Sequence, residues 1–181
     1  MNRKKFSIFK KLLNLPIILI VFVLLSGFSF AQMSALKELK KNANDLNILK
    51  QSIKPSDPWT IDHLITTDEL AKELKNTKMN KPLILQVGFK FLYNTGHIPG
   101  AKYVGPASEK SGIKSIHNEV KSLKKDQNIV IYCGCCPWGH CPNIRPAYKT
   151  LKDLGYTNVK VLYIPKDFGK DWADVGYPVS K

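Results

Sequence analysis

The sequence predicts an α/β fold built on a mostly parallel sheet, and three observations carry that expectation. Short, β-branched apolar runs of strand length alternate with amphipathic segments of helix length through the middle of the chain. The 181 residues are 44% hydrophobic and 23% charged, enough for one apolar core and too mixed for a disordered, collagenous or multi-span chain. All four cysteines (Cys133, Cys135, Cys136, Cys141) fall within nine consecutive residues, where a predicted strand gives way to a predicted helix. Cross-links inside so short a window remove little chain entropy, so the cluster points to chemistry rather than to a disulfide framework.

The elements follow in order. Residues 1–31 read as a signal peptide: Arg3, Lys4, Lys5, Lys10 and Lys11 precede an uncharged run with its apolar heart at Ile17–Leu25. Ser29 and Ala31 supply the small −3 and −1 residues of a cleavage site between Ala31 and Gln32. The alternative is an uncleaved N-terminal membrane anchor, since Leu12–Leu36 carries no charge. Either reading exports the protein, to the periplasm or beyond, where thiols become disulfides, become metal ligands or are kept reduced enzymatically. Five of the fourteen net positive charges lie in this segment.

Residues 32–58 form an amphipathic helix and linker, with Leu36, Leu39, Ala43, Leu46, Leu49 and Ile53 on one face and Lys54–Pro58 as the stop. The remaining domain, 59–181, opens with Thr66-x-x-Glu69, a capping box for a short helix. Leu83–Val87 is a strand, Gly96–Ala101 a turn, and Tyr103-Val104 a short extended piece. Ser115–Leu123 reads as a helix and Asn128–Tyr132 as a buried strand. Asn143 is the expected cap of a helix that turns Ile144, Ala147, Leu151 and Leu154 inward and ends at Gly155. Val159–Tyr163 is the last strand.

The cysteine loop therefore runs from the carboxyl end of a strand to the amino end of a helix, the usual ligand position of an open α/β sheet. Amide N–H groups there favour anions and lower thiol pKa values. A thiolate so placed can attack an anionic sulfur compound or exchange with a disulfide.

These motifs resemble the rhodanese-like sulfurtransferases. Leu83–Val87 followed by Gly96-His97-Ile98-Pro99-Gly100-Ala101 is similar to the family's first motif, and Ile129–Cys133 to the strand that delivers its persulfide-forming cysteine. Leu151-x-x-x-Gly155-Tyr156 and Trp172-x-x-x-Gly176-Tyr177-Pro178-Val179 resemble the rest of the domain. The resemblance implies a five-stranded parallel sheet flanked by helices. It also implies transfer of a sulfane sulfur, from thiosulfate or a related donor, through a cysteine persulfide to a thiol or cyanide-like acceptor.

Two departures stand out. Gln86-Val87-Gly88 replaces the family's usual Asp-Val-Arg, and Leu92-Tyr93 lacks its usual glutamate. The stretch from Cys133 to Gly155 is also about five residues longer than the family's ordinary spacing. The strand anchor favours Cys133 as nucleophile over Cys136, with Cys141 as a further reactive thiol.

Gly134, Cys135, Trp138, His140 and Arg145 are the candidate substrate-binding residues, Arg145 as an anion contact with a plain surface charge as the alternative. His97 and Trp172 read as structural. Two other functions compete: a thiol-disulfide oxidoreductase using the Cys133/Cys136 pair, and a non-catalytic sulfur- or metal-binding domain. Adjacent Cys135 and Cys136 make coordination by all four thiols awkward, so no metal and no cofactor is expected. Basic residues without an interleaved aromatic stripe, on an exported chain, argue against nucleic acid as a partner. A membrane enters only through the signal segment.

Overall fold

The computed structural model describes residues 30–78 and 80–181. The predicted signal segment therefore lies outside the described residues, apart from Phe30 and Ala31. Among the described residues no helix is long and apolar enough to cross a membrane. The chain divides into two compact units at Leu46/Asn47.

In the first unit the helix α1, Phe30–Ser52, begins; its residues up to Leu46 expose Phe30, Met33, Leu36, Leu39 and Leu46. The second unit takes in the last turn of α1 and the segment expected to be a linker. Leu49 is buried there with Trp59, and the carbonyl of Ser52 accepts a hydrogen bond from Trp138 Nε1 at 3.1 Å. The boundary thus falls earlier than the predicted 58/59, because Leu49 and Ile53 have apolar partners in the domain.

The second unit holds β1 (Leu64–Ile65), α2 (Thr67–Lys75), β2 (Leu83–Gln86), α3 (Lys90–Thr95), β3 (Lys102–Tyr103), α4 (Lys110–Val120), β4 (Ile129–Tyr132), α5 (Ile144–Asp153) and β5 (Val159–Leu162). All strand pairs are parallel, in the order β1-β5-β4-β2-β3. The five-stranded parallel sheet implied by the family resemblance is the sheet observed. Strand β1 has no counterpart in the sequence reading, since two residues are too few to show a period.

The capping box forms as expected: Glu69 N–H donates to Thr66 Oγ1 at 3.2 Å and Thr66 N–H to Glu69 Oε2 at 2.8 Å. Helix α4 starts five residues before the predicted Ser115 and ends at Val120. Its early turn contains Gly112, where a Cβ would come within 2.1 Å of the Pro106 carbonyl oxygen. A glycine that sequence reasoning treats as a breaker is here the residue that lets the helix close on the preceding loop.

Each face of the sheet packs its own core. Alternate strand residues point to opposite sides, so Leu85, Ile129, Ile131, Cys133 and Val161 join α4 and α5 on one face. Ile84, Val130, Tyr132 and Leu162 join α2, Ile98 and Trp172 on the other. The parity of β4 thus turns Cys133 toward the amino end of α5.

Candidate functional site

The site begins at the carboxyl end of β4, where the chain leaves the sheet at Cys133 and reaches α5 eleven residues later, at Ile144. Four contacts hold this long loop. Gly134 takes φ +68°, and a Cβ there would sit 2.7 Å from Phe168 Cβ, so only glycine fits without displacement. Phe168 N–H donates to the Gly134 carbonyl at 3.1 Å, and Trp138 N–H to the Pro165 carbonyl at 3.0 Å. Trp138 is buried edge-on against Tyr163 and tilted against Trp59. Lys54 Nζ donates to the Gly139 carbonyl at 3.3 Å.

The loop gathers the thiols. Cys133 and Cys135 Sγ lie 3.1 Å apart, and Cys135 and Cys136 Sγ 3.2 Å apart. The sulfur atoms of Cys133, Cys135 and Cys141 all lie within 4.8 Å of one another. All four are free thiols, with Cys133 and Cys141 buried. Cys135, assigned from the sequence to the substrate cradle, stands inside the thiol cluster and between Cys133 and Cys136.

The surroundings favour the thiolate form most at Cys141. The Cys133 and Cys135 thiols donate toward it, and the N–H groups of Asn143 and Ile144 at the amino end of α5 add to them, holding it well below the ordinary thiol range. Cys133 moves up: its contact with Cys135 favours its thiolate, but Cys141 beside it and burial outweigh that contact. Cys135 is pushed up by Cys133, Cys141 and burial, and Cys136 chiefly by burial.

Three polar supports were missed or misread. Asn143 sits at the cap position of α5 but makes no cap bond. Its fully buried side chain accepts from Ser108 N–H at 3.0 Å and donates from Nδ2 to Cys133 Sγ at 3.4 Å. Gln86, where the family usually has aspartate, donates from Nε2 to the Cys133 carbonyl at 3.4 Å and accepts from Gly88 N–H at 3.2 Å. A Cβ on Gly88 would lie 2.9 Å from Gln86 Nε2 and 3.0 Å from Cys133 Sγ. The signal for Gln86 and Gly88 was the Gln86-Val87-Gly88 departure itself.

Two sequence candidates stand elsewhere. Arg145 is turned to the chain's own carboxylate: its Nε donates to Asp57 Oδ1 at 2.7 Å and its guanidinium lies over the Trp59 ring. An internal ion pair therefore occupies the expected anion contact. His140 is exposed, and Trp138 is a buried anchor more than a pocket wall. His97 has the structural place expected of it, stacked on Tyr93 with Nδ1 against the Tyr93 carbonyl at 2.9 Å. Trp172 is fully buried.

A cavity of about 680 Å3 opens onto Cys133, Gly134 and Cys135. Leu92, Phe168, Ala173 and Val179 give it mostly apolar walls, and Gln86 and Lys181 add polar groups. Cys141 lies outside this cavity, in a small void behind Cys133 shared with Cys136, Trp138 and Ile144.

The sequence model of the Rhodanese-like domain family matches residues 66–163, more than half of the chain and all of the ground from the α2 cap to the end of β5. The chain belongs to the rhodanese-like family. The family is a sulfurtransferase-type or sulfur-related one, and many of its domains are non-catalytic. Among solved structures, the BH2092 protein from Bacillus halodurans aligns at 20% identity with a TM-score of 0.51, over 78% of this chain and 85% of that one. The Alr3790 protein from Anabaena sp. aligns at 22% identity and 0.49, over 64% and 81%. The rhodanese-related protein from Thermoplasma volcanium aligns at 21% and 0.45, over 65% and 97%. No curated protein matches the sequence.

Proposed function

We propose that the protein is an exported sulfurtransferase that carries a sulfane sulfur as a persulfide on Cys133. The observation that carries this reading is position: Cys133 stands at the end of β4 and lines the large cavity, which Cys141 does not. A donor such as thiosulfate presents its outer sulfur to Cys133. The Cys133 sulfur bonds to that atom as the sulfur–sulfur bond of the donor breaks, and sulfite leaves with the bonding pair. The thiol proton passes to the Cys141 thiolate, within 4.8 Å. Attack by a thiol or cyanide on the outer sulfur then regenerates Cys133.

Asn143 Nδ2 and the amide N–H groups at the head of α5 offset the charge that develops on sulfur. The apolar walls of the cavity favour an organic thiol as acceptor over a fully hydrated anion. Export rests on residues 1–31, with cleavage at Ala31/Gln32 or retention as an anchor.

Intact mass of the reduced protein after thiosulfate treatment tests the reading. One added sulfur is expected, lost in Cys133→Ser and kept in Cys136→Ser. Uptake that survives Cys133→Ser and vanishes in Cys136→Ser would overturn it.

A further inference from the structure

From the sequence, adjacent Cys135 and Cys136 make coordination by all four thiols awkward. The fold asks for only three of them, since Cys136 touches Cys135 but stands outside the group whose sulfurs all approach one another. Cys133, Cys135 and Cys141 offer their sulfur atoms within 4.8 Å of one another, from the end of β4, the loop and the approach to α5. We propose that these three thiols form a binding site for a soft monovalent cation, with copper(I) as its ligand of choice.

Geometry comes first. Three sulfurs around one ion at a bond length of about 2.3 Å stand about 4 Å apart in a trigonal plane. The observed separations, from 3.1 Å for Cys133–Cys135 to at most 4.8 Å, bracket that spacing. Cys136 belongs to no such group among the described residues.

The donor set comes second. It holds sulfur only: no carboxylate or imidazole joins the cluster among the described residues, and His140 is exposed. Thiolate donors select soft ions, and a three-sulfur set leaves the tetrahedral preference of zinc(II) unmet.

The surroundings come third. Three thiolates and one monovalent cation carry a net charge of −2. The head of α5 and Asn143 Nδ2 supply the positive ends of dipoles beside that charge. Cys141 is buried outside the large cavity, and Cys133 is buried at its edge. Binding releases to solvent the protons that the three thiols still hold; no electron moves and no bond other than metal–sulfur forms.

The inference stands apart from sulfur transfer and touches it at one point, since an ion on Cys133 blocks the persulfide. The full reduced chain, titrated anaerobically with copper(I) against a chromogenic copper(I) chelator, tests it. One retained equivalent per chain is expected, with thiolate-to-copper absorption in the ultraviolet and a three-sulfur shell by X-ray absorption. Cys135→Ser is expected to weaken retention at least tenfold, and Cys136→Ser to keep the full equivalent.

A wild-type protein that retains no copper overturns the proposal. So does a Cys135→Ser variant that retains it unchanged, or a loss of copper in Cys136→Ser. Zinc(II) held more tightly than copper(I), in a four-sulfur shell, overturns the choice of ion. The shell on the wild type needs no variant to fold. Copper retained by a protein that takes up no sulfur from thiosulfate defeats the sulfurtransferase reading alone.

Discussion

The two ends of the sheet each carry a cavity, and the thiols gather at only one of them among the described residues. At the amino ends of the strands a cavity of about 420 Å3 is bordered by Asp62, His63, Glu73, Asn128, Asn158 and Lys160. At the carboxyl ends the cavity of about 680 Å3 is mostly apolar yet meets two thiols. The amino-end cavity has more charged side chains and no cysteine in its lining, because every strand is parallel and the helix that follows β4 starts at the other end. There the amides of α5 face the loop. A site in this fold is made by strand polarity and helix heads rather than by the number of charged side chains around a hollow.

The largest expected effects break this comparison outright. Sulfur uptake in Cys133→Ser is expected to fall to nothing, while Glu73→Gln at the amino-end cavity leaves it at the wild-type rate. Mass spectrometry of both variants after the same treatment reads the contrast. A Glu73→Gln variant that loses uptake would place function at the wrong end of the sheet.

Arg145→Ala comes next. Its partner Asp57 has a fully buried side chain, so removing the guanidinium strands a carboxylate, at a cost of roughly 3–5 kcal/mol in denaturant unfolding. Because Arg145 faces Asp57 and not the thiols, the thiosulfate concentration that gives half-maximal uptake is expected to stay the same in protein that remains folded. A rise of tenfold or more in that concentration would restore Arg145 to the anion contact read from the sequence.

Asn143→Ala and Gly88→Ala sharpen the picture at the carboxyl end. The first leaves Ser108 N–H and the Cys133 sulfur without their partner, at about 1–3 kcal/mol. The second drives a methyl group into contact with Cys133 Sγ and Gln86 Nε2, at about 1–3 kcal/mol of strain. Both are expected to slow sulfur uptake by tenfold or more. Thermal unfolding gives the stability change, and uptake measured well below the midpoint separates the chemical effect from it.

What the sequence made legible was whatever local pattern controls. The Thr66/Glu69 box, the β-branched run of β4 and the glycine end of α5 depend on neighbours a few residues away, and each was found where expected. Asn143 was read as a helix cap because that is the local habit of asparagine before a helix. Its side chain instead answers to Ser108 and Cys133, 35 and 10 residues away. Arg145 failed for the same reason, since Asp57 lies 88 residues upstream. The sequence puts Cys135 in the substrate cradle with the rest of the loop 134–141, whereas the folded loop sets its sulfur between those of Cys133 and Cys136.

The smallest effect is a dependence on pH, and its sign follows from the cluster. An unfolded cysteine titrates near about 8.5. In the native protein Cys141 is held below that range by the two donating thiols and the amides of α5. Between its native pKa and about 8.5 the unfolded chain therefore binds the extra proton, and stability rises with pH. Cys133, Cys135 and Cys136 are shifted upward, so above about 8.5 the native state keeps protons that the unfolded chain releases, and stability falls. The reduced, metal-free protein is thus expected to be most stable near about pH 8.5. Replacing Cys141 with serine removes the rising limb, so the gap between wild type and Cys141→Ser in denaturant unfolding widens from pH 5 to pH 8. A gap that stays constant over that interval would mean that the charge of the cluster rests on another sulfur. In that case the head of α5 would not be what separates the working end of the sheet from the idle one.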